Sequence, residues 1–259
     1  MNDIVLPPGT LAAFGLYLVR TSALVLASPF FGAATNFSGV KIGLIAVVSM
    51  ALYASHGVPL ESAASPLAFG ALAMREVLIG LALAFVMQAA VLAVRVAGEM
   101  VGQEVAFTMA SVVDPASGVN TPLITQLYEG LFLLGLLAAD GHHLLLRALS
   151  DSFERAPIGH VGIESGLAHG VMQLFSDMFA AGITFAAPVL SLLFLTSLLI
   201  GLLARAVPSL NILEVGFSLR ILTGLVALLV FAPLIGPALD HLYGAMATGL
   251  DDVLGIIGS

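Results

Sequence analysis

Residues 88–107 read "QAAVLAVRVAGEMVGQEVAF" and residues 111–122 read "SVVDPASGVNTP". The first stretch has no proline and is rich in Ala and Val, so it reads as helix. At about 100° per residue, Gln88, Arg95, Glu99 and Gln103 fall within roughly 80° of one another on its wheel. They make a narrow polar stripe on an otherwise apolar rod. Beside it, Gly98 and Gly102 form a GxxxG pair, which permits close backbone approach by another helix. The second stretch is of another kind. Pro115, Gly118 and Pro122 oppose continuous helix, and Asp114 can stabilise a local turn. Helix then resumes near Pro122, a residue suited to a first-turn position.

Two readings of each element stand side by side. Ionisable groups in an apolar environment normally face a bundle interior or an aqueous cavity. The polar stripe therefore either lines a water-accessible path or reflects an Arg95–Glu99 pair that only helps packing. Irregular backbone at membrane depth is tolerated only where protein or water satisfies it. The 111–122 segment is accordingly an aqueous surface loop or a loop folded into an internal cavity, and taken by itself the aqueous surface is favoured.

The rest of the chain explains why membrane depth is at issue. Of 259 residues, 59% are hydrophobic and 9% are charged, with mean hydropathy +1.10. Soluble globular domains carry about 25% charged residues. The composition fits an integral membrane protein or a tightly sheathed oligomer. A net charge of -8 disfavours nucleic acid as a partner. With no cysteine, disulfides, thiolate metal sites and a cysteine nucleophile are excluded. The N-terminal "MNDIVLPPGT" lacks a basic n-region and an A-x-A pattern, so the first apolar run is expected to remain in the mature protein.

Apolar runs lie near 11–31, 42–55, 77–94, 127–149, 178–204 and 221–239. Their length and Leu/Ala content predict an all-α fold of hydrophobic, broken helices and helical hairpins. A clean span needs roughly 20 apolar residues, and several runs are compromised. Arg20 sits within the first. "ADGHH" at 139–143 interrupts the fourth, with Gly141 placed to end a helix. Pro188 is expected to kink or break the fifth, and Pro233 and Pro237 the sixth. The tail 250–259 reads as frayed. Lys41, Arg95, Arg205 and Arg220 would flank one side of a six-span arrangement, and Arg75, Arg147 and Arg155 the other. The positive-inside rule needs an excess on one face. Its near absence hints at a final location other than an ordinary bilayer.

Catalytic constellations are not found. No H-E-x-x-H supports zinc protease chemistry, and Ser117-Gly118 is not set in a nucleophile elbow. Asp140, His142 and His143 at the helix break read first as groups satisfying free backbone. A proton-responsive role for the histidines has no specific support.

Six stretches together resemble the FliR family, the flagellar member of the type III secretion export apparatus. They are "AGEMVGQEVAFTMASVVDPASGVNTPLITQ" at 97–126, "ADGHHLLLRALSDSFERAPIG" at 139–159, "LLARAVPSLNILEVGFSLRILTGL" at 202–225, "REVLIGLALAF" at 75–85, "SPFFG" at 28–32 and "VKIGL" at 40–44. Asn36 departs from the pattern where a proline is common. The resemblance runs in order over nearly the whole chain, and "VDPASG" is closer to the flagellar than to the injectisome branch.

The resemblance implies a non-enzymatic subunit of the export gate, without cofactor, resident metal or catalytic residue. Its partners would be FliP and FliQ in a conical helical complex, FlhB docked on it, FlhA beneath, and unfolded flagellar export substrates passing through. It implies a FliP-like part over 1–177 and a FliQ-like hairpin over 178–259. The location implied is the bacterial inner membrane and flagellar basal body, largely on the periplasmic side after assembly.

It also reverses the surface-loop preference. Ser111, Val112, Val113, Asp114, Pro115, Ala116, Ser117, Gly118, Val119, Asn120, Thr121 and Pro122 become the plug of the channel. Gln88, Arg95, Gly98, Glu99, Met100, Gly102, Gln103 and Met109 become its channel-lining or packing helix, with the two methionines as adaptable filler. Arg205, Asn211, Glu214 and Arg220 become a contact loop at the cytoplasmic entrance, suited to FlhB. The competing class is a secondary transporter with discontinuous helices around a polar midplane site, for which Pro188, Asp140 and Glu99 would serve. The paired halves expected of a transporter are not found.

Overall fold

Runs dominated by Leu, Ala and Val bury little unless they wind into rods that pair side by side, and helices are what they form. The computed structural model describes residues 9–29, 38–57, 59–60, 65–105, 122–159, 166–207, 209 and 211–258. Among them the regular elements are α1 (Thr10–Ala27), α2 (Ser38–His56), α3 (Pro66–Glu104), α4 (Leu123–Ala138), α5 (Gly141–Arg155), α6 (Leu167–Ala206) and α7 (Ile212–Ile257). The all-α expectation holds.

Three helices exceed their apolar runs by a wide margin. α3 has 39 residues, α6 40 and α7 46. At 1.5 Å per residue these rods are about 60–70 Å long, roughly twice the 30 Å of a bilayer's hydrocarbon core. Five helices are long and apolar enough to cross a membrane, or six if the interrupted α4–α5 pair is counted as one span.

Of the kink or break expected at each proline, the break does not occur. Pro188 lies inside α6, and Pro233 and Pro237 lie inside α7, with helix continuing on both sides. Each proline removes one backbone bond, but a rod of ten or more turns retains enough bonds on either side to continue. The discontinuity at Pro188 that the transporter reading required does not occur. The tail is likewise helical to Ile257, because Val253, Leu254 and Ile257 are buried side chains that hold the last turns down. The interruption near 139–143 is present but shifted. Asp140, not Gly141, takes the left-handed conformation, at φ 56°, and Gly141 opens α5.

The chain forms two compact units. One comprises Met1–Ala89, Ala139–Phe175 and Met246–Ser259, and the other Ala90–Ala138 and Ser176–Ala245. The core of the first contains Leu16, Leu24, Leu83, Leu145, Leu149 and Leu254. At its centre is Arg20, fully buried with Glu76. Arg20 Nε donates to Glu76 Oε2 at 2.6 Å, one terminal nitrogen to the Ser152 carbonyl at 2.7 Å, and the other to the Ala156 carbonyl at 2.9 Å. Its guanidinium carbon lies 4.1 Å from the centre of the Phe153 ring, which stacks on Tyr17 at 4.2 Å. The charge that sequence places within a span is thus tied to the end of α5 and to α3, inside protein.

The second unit is built on Val94, Ala97, Val101, Phe132, Ala186 and Leu193. Its C-terminal part is a helical hairpin, in which Gly216 on α7 faces Ile200 on α6. A second tie comes from Tyr243, whose hydroxyl donates to the Phe132 carbonyl at 2.9 Å.

Candidate functional site flanking residues 106–121

The plug expectation falls on Ser111–Thr121, which lie outside the described residues, as does Met109. What is described is the frame from which that segment departs and to which it returns. α3 delivers the chain as far as Val105, a buried residue, and α4 receives it from Pro122. The two ends run side by side. A Cβ built on Gly98 would lie 2.5 Å from Thr125 Cα, and one on Gly102 would lie 2.6 Å from Pro122 Cβ. No L side chain fits at that separation, so α3 meets the Thr125 backbone and the Pro122 ring this closely only because both positions are glycine. One turn before Gly98, Arg95 donates to Glu129 Oε1 at 2.7 Å. Three successive contacts therefore pair α3 with α4 in antiparallel register at the residues that flank 106–121.

The packing expectation for Gly98 and Gly102 acquires a partner here: the chain's own α4. The Arg95–Glu99 pairing is corrected. The carboxylate bonded to Arg95 is Glu129, because it comes from the helix that the glycines bring close. Glu99 and Met100 are half-buried, while Gln88 and Gln103 are exposed. The stripe is thus a set of surface and half-buried groups rather than a buried polar seam.

The expected contact loop is divided. Asn211 Nδ2 donates to Glu214 Oε2 at 3.2 Å, both exposed, and Arg205 is exposed at the end of α6. Arg220 is placed elsewhere. Its guanidinium lies 4.0 Å from Glu104 Oε2, at the last turn of α3. Glu129, Glu104 and Thr125 were missed in the sequence. The available signal was a charged residue in an apolar run, which requires a partner; Glu129 in "LYEGLF" is such a case.

A prediction follows from the close approach. Gly98→Leu forces a branched side chain into the Thr125 backbone, which cannot move without unseating the start of α4. Overpacking of this kind costs about 1–3 kcal/mol. The expected result is a lower thermal midpoint and reduced recovery of the protein in detergent extracts, with Gly98→Ala milder. An unchanged midpoint for Gly98→Leu would remove the close contact from the account.

The outer faces of the rods are apolar and uncovered. Leu229 is 76% exposed, Phe194 67% and Leu202 66%. Within the most apolar window of α3, 67% of residues are buried; within that of α7, 11% are. α2 likewise exposes Val40, Ile42, Val47 and Met50.

Comparison with known proteins gives a consistent result. Residues 11–246 match the family described as Bacterial export proteins, family 1. The flagellar biosynthetic protein FliR of Escherichia coli is 34% identical over 242 residues, 92% of this chain and 90% of that protein. The FliR of Bacillus subtilis is 29% identical over 261 residues, covering 100% of this chain and 99% of that one. The FliR of Pectobacterium carotovorum is 32% identical over 237 residues, 91% of this chain and 90% of its own length.

Proposed function

Since the chain belongs to the FliR family of flagellar biosynthetic export proteins, we propose that it is the gating subunit of a hetero-oligomeric export channel, assembled with FliP and FliQ. It performs no chemistry. Its residues 1–177 act as the FliP-like part and 178–259 as the FliQ-like hairpin, together joining the helical ring. FlhB docks at the exposed hairpin tip around Arg205, Asn211 and Glu214, and FlhA lies beneath. Unfolded flagellar subunits pass through the pore. The assembled protein sits in the basal body at the inner membrane, largely raised to its periplasmic side.

The single observation that carries this reading is the mismatch between helix length and membrane thickness. Rods of 39 to 46 residues cannot hide their apolar surface in about 30 Å of hydrocarbon. α7 keeps most of that surface uncovered within the chain. Lipid can solvate part of it, and neighbouring helices of sister subunits cover the remainder. Packing against such neighbours needs no central hydrophobic drive in lipid, only surface complementarity and small-residue contacts.

The gating role rests on the frame of the central loop. A plug must close a pore and also leave it, which favours a short turn-rich segment held firmly at both ends. The Gly98–Thr125 and Gly102–Pro122 contacts provide the fixed ends. Arg220 beside Glu104 places a charge from the hairpin at the same level, where the entry of a substrate chain would be felt.

Co-expression with FliP and FliQ tests the assembly. The chain should be recovered in a discrete hetero-oligomer, and its yield in the absence of FliP should fall severalfold as unsheathed helices are degraded. A chain that purifies alone as a stable monomer, at undiminished yield, would contradict the reading.

A further inference from the structure

We infer that Asp140, His142 and His143 form a binding site for a first-row divalent transition-metal ion, with Zn2+ the ion their donors suit best. The three side chains each present a ligand atom, and all of these atoms lie within 4.8 Å of one another. The left-handed backbone at Asp140 and the first turn of α5 gather them.

Two features distinguish the trio from an ordinary helix start. Asp is among the strongest N-cap residues, yet the Asp140 side chain makes no capping bond. Its Oδ1 lies 3.2 Å from His143 Nδ1 instead. The expectation that Asp140 serves the free backbone of the break is thereby corrected. Independently, His142 Nδ1 is shielded from solvent and has no hydrogen-bond partner among the described residues. Buried polar atoms are ordinarily paired, and a coordinated ion satisfies an imidazole nitrogen fully. The two rings lie 4.1 Å apart, centre to centre.

The donor chemistry selects the ion. Ca2+ and Mg2+ take oxygen ligands, whereas imidazole nitrogen favours Zn2+, Ni2+ and Cu2+. Two imidazoles and one carboxylate match a three-ligand zinc set with water completing the shell. In a tetrahedral site with bonds of about 2.0–2.1 Å, neighbouring donors stand about 3.4 Å apart. The side chains must therefore close by roughly an ångström. They are free to do so, since the Asp140 side chain is 75% exposed and that of His143 58%. The positive end of α5 opposes a cation, but that effect is confined to the first turn and the Asp140 carboxylate counters it. Binding would fix the first turn of α5.

The full chain, carrying a tag without histidine and stripped with chelator, is titrated with Zn2+ in competition with a fluorescent zinc indicator. One Zn2+ per chain is expected. The His142→Ala and His143→Ala variants should weaken binding more than about tenfold, while His241→Ala should not change it. A second readout uses the unaltered chain, so a misfolded variant cannot decide the matter. Zn2+ should protect His142 and His143 from diethyl pyrocarbonate, read by peptide mass. Undiminished stoichiometric binding by the His142→Ala/His143→Ala double variant would overturn the site. So would absence of saturable binding, or of protection, in the unaltered chain.

Discussion

Arg20→Met is expected to destabilise the first unit by about 3–5 kcal/mol, because it leaves a buried carboxylate without its main counter-charge. Arg20 and Glu76 have fully buried side chains. The guanidinium also holds the Ser152 and Ala156 carbonyls at the end of α5, so its removal strands those acceptors as well. Arg75 donates to Glu76 Oε1 at 3.2 Å but reaches none of the positions Arg20 fills at α5. Against a total stability of about 5–15 kcal/mol, the loss is large enough to prevent accumulation of the protein at growth temperature. The double variant Arg20→Met/Glu76→Leu should recover much of the deficit, since replacing a whole buried pair with apolar side chains is often tolerated. Thermal unfolding in detergent measures both. An unchanged midpoint for Arg20→Met, or a double variant worse than the single, would show that the buried pair does not organise this unit.

Arg20 also illustrates what was legible in the sequence. A charge in the middle of an apolar run is visible there. Its partner, 56 positions away, is not, because pairing at such separations is decided by tertiary packing. Helix type was legible throughout, since runs of Leu, Ala and Val at these lengths allow little else. Helix length was not. Searching for spans of about 20 residues truncated α3, α6 and α7, whose ends are less apolar but still helical. The prolines do not end their helices for a related reason: inside a rod of 40 or more residues the loss of one bond is local.

At the candidate site, the capacity for close approach at Gly98 and Gly102 was evident from spacing, but the helix that uses it was not. Once α4 is in place, the pairing of Arg95 with Glu129 rather than Glu99 follows from register. The four polar residues of the hairpin tip are near in sequence and suggest one cluster. Arg220, two turns into α7, faces Glu104 instead.

Removal of 111–121, with Pro122 kept, tests the central claim most directly. Pro122 must stay because it packs on Gly102 and fixes the return of the chain; a short Gly/Ser linker replaces the deleted residues. The variant is co-expressed with FliP and FliQ, and the purified complex is reconstituted in planar bilayers for single-channel recording. The unaltered complex should be electrically silent. The deleted complex, recovered at the same yield, should give resolved open-channel currents carried by small ions. Silence from an intact, fully assembled deletion complex would contradict the assignment of this loop as the seal.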